Sequence, residues 1–219
     1  MKKELTPGEL GEQLRCPSGK HAQEVGETMF LSNRNMIFAT IDLLHLRPES
    51  TVFEIGFGNA SHLWYLFNTA EGLYYRGVET SGEMVGEATR NHIEEVENGD
   101  AVFYQVDGTG RLEELTESCD YCFTVNTIYF WTDPQYHLNE MYRILSPGGT
   151  LAVTFIEKEF GSGLAFTQQG FSFYLPEEVT TYMEKSGFNT IEVSLQEEET
   201  LSKDGQQVKR SYWIITARK

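Results

Sequence analysis

The chain has 219 residues, of which 40% are hydrophobic and 13% aromatic, enough to bury the core of one domain and too many for a disordered or fibrous protein. Its 17 basic and 33 acidic residues give a formal net charge of -16, which opposes binding to nucleic acid. No apolar run approaches the roughly 20 residues of a membrane-spanning helix. The opening MKKELTPGEL also lacks the apolar core of a secretory signal, so we expect a cytoplasmic protein without a membrane segment.

Runs of strand length and composition recur along the chain, with helix-compatible stretches between most of them. The strand-like runs are TVFEIG, YYRGVE, AVFYQVD, YCFTVN and TLAVTFIE. The helical candidates between them are residues 60–70, 81–97 and 134–145. This alternation predicts βαβ units, and therefore an α/β fold built on a doubly wound, mostly parallel sheet.

The two ends of the chain depart from this alternation. Residues 26–46 have apolar positions close to helical spacing and predict a helix that leads into the first strand. Together with the less periodic residues before them, they form a predicted helical cap over residues 1–46. Near the C-terminus, a predicted helix over residues 176–187 is followed by the runs FNTIEVSLQEEE and VKRSYWIITARK, which predict a β-hairpin joined around residues 203–207.

Three cysteines, Cys16, Cys119 and Cys122, cannot all pair with one another and indicate reduced thiols. Cys119 and Cys122 form a C-x-x-C, but they lie inside the apolar run CDYCFTV. Because neither a second cysteine pair nor a histidine cluster accompanies this motif, it favours buried spectator thiols over a zinc or redox site. The histidines also lack the spacing of metal ligands, so we predict no metal.

Acidic and amide side chains lie at the carboxyl ends of the predicted parallel strands. Ligands of open α/β sheets bind at these strand ends. The strand ends are Glu54-Ile-Gly56-Phe-Gly58, Gly77-Val-Glu79, Val106-Asp107-Gly108 and Val125-Asn126-Thr127. Singly, such residues are often ordinary turns or helix caps. Together, a glycine turn that allows close approach and an acid roughly 20 residues on that can accept from both ribose hydroxyls predict a nucleoside site.

With these motifs, the chain resembles the class I S-adenosylmethionine-dependent methyltransferases. The E-x-G-x-G-x-G turn of that family is matched at Glu54, Gly56 and Gly58. Ala60 stands where the third glycine serves close helix packing, and alanine is the smallest side chain that could replace it. The resemblance implies that Gly56 and Gly58 lie against the methionine portion of S-adenosylmethionine, and that Glu54 helps to orient its amino group.

The later strand ends extend the resemblance. It implies that Glu79 binds the ribose hydroxyls, that Asp107 accepts from the adenine amine, and that the backbone of Gly108 and Asn126 lines the same cleft. The Pro-Gly-Gly turn in LSPGGTLAV and an antiparallel C-terminal hairpin also fit. The resemblance covers roughly residues 47–219 and implies a Rossmann-like methyltransferase domain there, with seven mostly parallel strands.

Two alternatives remain open. Gly56-x-Gly58-x-x-Ser61 is close to the dinucleotide-binding pattern, so NAD is a rival cofactor for an oxidoreductase. Ser61 in place of the last glycine, and Glu54 where an apolar strand residue is usual, favour the methyl donor. A non-catalytic regulator that only binds the nucleoside is the other alternative, although such a protein need not keep the acids at the strand ends.

Methyl transfer from a sulfonium depends mainly on alignment and exclusion of water, so no catalytic base is strictly required. In the family, residues after the fourth strand face the reactive methyl group. Tyr129 and Trp131 are therefore candidates to pack against the sulfonium or the acceptor, and core packing is the alternative for both. His62, His137 and Glu157 are candidate bases if the acceptor must lose a proton.

The acceptor is predicted to be a small molecule of unidentified structure. Asn126-x-x-Tyr129 resembles the N-P-P-Y slot of methyltransferases that act on adenine or glutamine, but Thr127 and Ile128 replace both prolines. We expect acceptor contacts from the start of the chain and from residues 161–175, whose glycines and phenylalanines suit a mobile lid or a packed connection. The sequence does not indicate an oligomeric state.

Overall fold

A computed structural model describes residues 5–203 and 205–219. Residues 1–4 of the predicted cap and residue 204 of the predicted hairpin link lie outside the described residues. The helices are α1 Pro7–Arg15, α2 Ala22–Leu44, α3 Leu63–Phe67, α4 Gly82–Asn91, α5 Ile93–Asn98, α6 Pro134–Ile144, α7 Lys158–Ser162 and α8 Pro176–Ser186. The strands are β1 Thr51–Ile55, β2 Tyr74–Glu79, β3 Ala101–Gln105, β4 Cys119–Val125, β5 Leu145–Ile156, β6 Asn189–Leu201 and β7 Gln207–Arg218.

The strands form one seven-stranded sheet in the order β3-β2-β1-β4-β5-β7-β6. The first five strands along this order are parallel, β7 runs antiparallel to β5, and β6 runs antiparallel to β7. The predicted fold, including its antiparallel hairpin, is confirmed. Because β1 lies between β2 and β4, the winding of the sheet reverses there, and the carboxyl ends of these strands open a crevice.

Long apolar runs form the central strands because both faces of the sheet are covered. Phe53 on β1, Phe123 on β4 and Val153 on β5 are completely buried. Helix α2 packs on the sheet, and a buried hydrogen bond of 2.7 Å joins the Thr40 and Thr154 hydroxyls. The helix that forms the predicted cap is therefore fixed to the same core as the sheet.

Two of the predicted helices differ from the observed ones. The first begins only at Leu63, because Ala60 adopts a left-handed φ of 54° that a continuous helix excludes. The second is interrupted at His92, where φ is -121° and ψ is 38°. The ring of His92 bonds to the Ala60 carbonyl at 3.0 Å and ties this break to the first turn. The helices predicted over residues 134–145 and 176–187 are confirmed by α6 and α8.

The Pro-Gly-Gly segment lies within β5 and not before it. Pairing with β4 shifts register between Cys119 and Tyr121, which leaves this segment in an irregular part of the ladder. Gly148 donates to the Lys219 carbonyl at 2.9 Å, and Lys219 donates back to Gly149 at 3.0 Å. The two glycines therefore hold the C-terminal end of β7 against β5.

The N-terminal region is helical, as predicted. Thr6 and Glu9 form a reciprocal capping box at the start of α1. Leu14, Val25 and Phe166 form a small cluster of buried residues that joins the cap to the chain beyond α7. None of the described helices combines the length and apolar character needed to cross a membrane. The domain boundary after residue 46 stays a prediction.

Candidate active site

A cavity of about 560 Å³ lies at the carboxyl ends of the parallel strands. Its volume falls within the range of about 300–1,000 Å³ that is typical of small-molecule sites. Every cofactor-binding residue predicted from the sequence lines it: Glu54, Gly56, Gly58, Glu79, Asp107, Gly108 and Asn126. The topology thus brings together residues from four separate strand ends at the point where the winding reverses.

The glycine turn after β1 presents open backbone to this cavity. Gly56, Gly58 and Ala60 have positive φ values of 76°, 59° and 54°. A Cβ at position 56 would meet Thr127 Cγ2 at 2.2 Å, whereas a Cβ at position 58 would find only Met29 Cε, at 3.9 Å. The space beside Gly58 is therefore free for a ligand. Position 60, where the family has its third glycine, also has a left-handed backbone. Alanine adopts this conformation at a cost in free energy.

Replacing each of the two glycines by alanine should separate effects on stability from effects on ligand binding. We expect Gly58→Ala to fold, with a loss of about 1–2 kcal/mol for its left-handed backbone, and to bind S-adenosylhomocysteine at least about tenfold more weakly because Cβ fills the ligand space. Gly56→Ala should lose more stability, and Thr127→Ser should restore part of that loss by removing Cγ2. Thermal unfolding and calorimetric titration measure both effects. Wild-type affinity in Gly58→Ala would contradict the assignment.

Glu79 is buried at the edge of the turn and is held by backbone donors. Its Oε1 accepts from the amides of Thr80 at 2.7 Å and Ser81 at 3.2 Å, and its Oε2 accepts from Gly58 at 3.0 Å. Each carboxylate oxygen has two lone pairs, so Oε2 keeps one for a ligand hydroxyl. Burial raises the pKa of Glu79, while these backbone hydrogen bonds oppose the rise.

This raised pKa predicts a pH dependence of nucleoside affinity. Protonation removes an acceptor from Glu79, so affinity should decrease as the pH falls through its pKa, which lies above that of an ordinary glutamate. Calorimetric titrations with S-adenosylhomocysteine from neutral to mildly acidic pH, with circular dichroism to verify folding, measure the effect. Glu79→Gln should bind weakly and show little of this pH dependence. A wild-type affinity that stays constant would contradict the role of the carboxylate.

Glu54 lies deeper in the wall, only 2% exposed. Its Oε2 accepts from the Tyr75 hydroxyl at 2.5 Å and is bonded to His62 Nε2 at 2.8 Å. Burial and the Glu54 charge raise the pKa of Tyr75, which keeps the phenol protonated as a donor. Tyr75 and His62 therefore fix the orientation of this carboxylate, and His62 lies in the cavity wall as its partner.

Asp107 and Gly108 form the exposed rim at the end of β3. Asp107 Oδ1 accepts from the Thr109 amide at 2.9 Å and from its hydroxyl at 2.7 Å. These bonds lower the pKa of Asp107 and favour its ionised form. The rim therefore carries a negatively charged acceptor beside the glycine backbone.

Asn126 closes the opposite side of the cavity with a left-handed φ of 59°. Its Nδ2 donates to Asn33 Oδ1 at 3.0 Å, and its Oδ1 accepts from the Tyr129 hydroxyl at 2.7 Å. That hydroxyl also accepts from the Ile156 amide. The amide plane of Asn126 is consequently fixed from both sides.

Comparison with known proteins identifies this region. The model of the methyltransferase domain family matches residues 53–153, which run from within β1 to within β5 and contain all of the strand-end residues above. These residues belong to the methyltransferase domain family. With the fold, the match supports the predicted class I methyltransferase over these residues.

Solved structures share the fold of this methyltransferase at low sequence identity. An S-adenosylmethionine-dependent methyltransferase from Aquifex aeolicus is 18% identical, with 98% of this chain and 99% of that chain covered and a TM-score of 0.62. Phosphoethanolamine N-methyltransferase 2 from Haemonchus contortus is 16% identical, with coverage of 100% and 61% and a TM-score of 0.72. A chain of the complex that contains the Haloferax volcanii Trm112 methyltransferase activator is 15% identical, with coverage of 98% and 99% and a TM-score of 0.69. No curated protein matches by sequence.

The catalytic candidates of the methyltransferase occupy different places. Trp131 lines the cavity at the strand ends and stacks on His137, with ring centroids 4.7 Å apart and planes 7° apart. Burial lowers the pKa of His137, which favours its neutral form. Tyr129 lines a second, smaller cavity, and Glu157 is in the lining of neither. Trp131, His62 and His137 thus stay candidates in the wall of the strand-end cavity, while Tyr129 donates to Asn126.

The cysteine pair of the methyltransferase is buried in the sheet. Cys119 and Cys122 on β4 are both free thiols. Burial raises the pKa of Cys119 to about 12 and that of Cys122 well above its usual value, so both stay protonated. Within the described ranges, no group of three or more potential metal-binding side chains occurs.

Part of the cavity wall was missing from the sequence prediction. Met29, Phe30 and Asn33 on α2 line the cavity at the strand ends, whereas the sequence predicted for this segment only a helix that leads into the first strand. The C-terminal hairpin contributes Lys203 and Arg210 to the second cavity. No local motif marks these residues, since their partners lie far away along the chain.

Proposed function

We propose that this methyltransferase holds S-adenosylmethionine along the strand ends of its sheet and methylates a small molecule. In this proposal, the turn at Gly56 and Gly58 faces the methionine portion, Glu79 the ribose and Asp107 the adenine. The main observation in support of this proposal is that all the predicted cofactor residues line one cavity of about 560 Å³. The free space beside Gly58 and the remaining lone pair of Glu79 are consistent with this ligand.

The bound cofactor supplies a methyl group that is already activated, so the protein has to align it and exclude water. Orientation alone can lower a barrier by about 7–11 kcal/mol. Glu54, held by Tyr75 and His62, orients the amino group. Trp131 lines the cavity, and aromatic rings attract cations such as the sulfonium. Leu14 and Phe30 of the N-terminal helical cap form part of the cavity lining.

The proposed acceptor site is the second cavity, which borders the first at Asn33, Asn126 and Phe130. It has a volume of about 50 Å³ and is lined by the two segments expected to contact the acceptor, the start of the chain and residues 161–175. The net charge of -16 supports a small molecule over nucleic acid.

Incubation with donor labelled in its methyl group, and with a panel of small hydroxyl, amine and thiol compounds, tests this function. We expect label in at least one acceptor and S-adenosylhomocysteine in equal amount. Binding of the donor without turnover of any acceptor would favour the non-catalytic regulator. Binding of NAD in place of the donor would overturn the proposal.

A further inference from the structure

The second cavity has an aromatic wall that includes Phe130, where it borders the first cavity. The Phe173 ring lies 5.0 Å from Tyr129, and the Phe171 ring lies 4.7 Å from Phe130, measured between centroids. A cavity of about 50 Å³ admits a ring or a substituent and no more, so the remainder of an acceptor would extend into the cofactor cleft. Such walls favour a flat apolar group.

The amine of Lys203 also lines the second cavity. Lys203 Nζ donates to Asn33 Oδ1 at 2.7 Å, and the same oxygen accepts from Asn126 at 3.0 Å. Two hydrogen bonds therefore connect the amine to the residue that closes the cofactor cleft. Among the described residues, no carboxylate oxygen lies within ion-pair distance of Lys203.

Burial and a neighbouring positive charge favour the neutral form of Lys203. Burial lowers its pKa well below the usual range, and the nearby positive charge of Arg210 adds to this effect. Glu198 opposes the decrease, but it is already paired with Arg210, whose Nη2 lies 2.7 Å from Glu198 Oε1. Tyr129 also lines the cavity, and its hydroxyl donates to Asn126. Burial raises the pKa of Tyr129. A neutral lysine can act as a base.

We propose that Lys203 is the base of the reaction and that the acceptor is a flat aromatic compound with a hydroxyl group. This inference rests on the proposed function. As the new bond forms between the acceptor oxygen and the methyl carbon, the carbon–sulfur bond breaks and leaves its electron pair on sulfur. The hydroxyl proton passes to the lone pair of Lys203 Nζ, which then carries the positive charge.

Nuclear magnetic resonance of protein labelled at the lysine Cε reads the ionisation of Lys203 without any turnover. Lys203→Arg assigns the signal, and Lys209, an exposed residue near Lys203, is the internal control. We expect Lys203 to titrate at a much lower pH than Lys209. Titration alongside Lys209 would overturn the assignment.

Phenol is the smallest probe of the proposed acceptor class. Added to protein saturated with S-adenosylhomocysteine, it should shift the Lys203 signal and leave that of Lys209 unchanged. Lys203→Met should bind phenol about tenfold more weakly, because one hydrogen bond is lost, and should bind S-adenosylhomocysteine as the wild type does. A Lys203 signal that ignores phenol would overturn the acceptor class. Failure of wild-type protein to bind S-adenosylhomocysteine would instead refute the proposed function.

Discussion

Glu79→Ala should bind S-adenosylhomocysteine at least about tenfold more weakly than the wild type. A hydrogen bond to a charged group contributes about 1.5–3 kcal/mol, which corresponds to a factor of roughly 10 to more than 100 in affinity. The carboxylate accepts from the Gly58 amide at 3.0 Å, and in our proposal it also accepts from the ribose. Calorimetric titration measures the loss directly.

The same substitution removes the partner of several backbone amides, so its effect on folding needs a control. Glu87→Ala is matched, because Glu87 is another glutamate near the glycine turn, bonded to Asn59 at 3.3 Å. We expect Glu87→Ala to bind with nearly wild-type affinity. Affinity that is unchanged in a folded Glu79→Ala protein would rule out the ribose contact.

Arg210→Ala should lower the free energy of unfolding by about 3–5 kcal/mol, because it leaves the Glu198 charge buried without its partner. The side chains of this pair are only 3% and 5% exposed. The guanidinium also donates to the Ser32 carbonyl at 2.6 Å and so joins the hairpin to α2. For a domain of this size, the melting temperature should fall by about 2–4 °C for each kcal/mol. Chemical denaturation gives the free energy.

The neighbouring pair provides the matched control. Lys209 and Glu197 also form an ion pair between β7 and β6, at 2.8 Å and diagonally across the two strands, but their side chains are 64% and 59% exposed. Lys209→Ala should leave stability nearly unchanged because water solvates the remaining charge. The double variant Arg210→Met, Glu198→Leu should recover much of the stability lost in Arg210→Ala. Equal losses in Arg210→Ala and Lys209→Ala would show that the buried charge is not the cause.

Strand positions and their functional ends could be predicted because they depend on local sequence. A strand covered on both faces needs a continuous apolar run, as in β4 and β5, and a parallel sheet gathers the carboxyl ends of its strands at one edge. Glu79 is the last residue of β2 and Asp107 lies two residues beyond β3, so their meeting at one cavity follows from the topology.

Helix boundaries were harder to predict because single backbone angles determine them. The left-handed conformation of Ala60 delays α3, and the break at His92 divides the second predicted helix. Neither residue interrupts the apolar periodicity on which the prediction rested. Only the hydrogen bond between the His92 ring and the Ala60 carbonyl shows that the two irregularities are connected.

The polar wall of the second cavity depends on contacts across almost the whole chain. Lys203 and Asn33 are 170 positions apart, and Arg210 bonds to Ser32 across 178 positions. From the sequence, a lysine in a polar hairpin link is expected to be solvated. Lys203 comes close to Asn126 only because β7 adds to the sheet beside β5. Tertiary packing therefore determined the part of the site that the sequence did not reveal.

Equilibrium dialysis of the wild-type protein against S-adenosylmethionine and S-adenosylhomocysteine tests the central claim most directly. The protein should first be shown to be folded by circular dichroism and a cooperative thermal transition. We predict saturable uptake of each nucleoside at one site, with each ligand displacing the other. Folded protein that takes up neither nucleoside would contradict the assignment of the strand-end cavity.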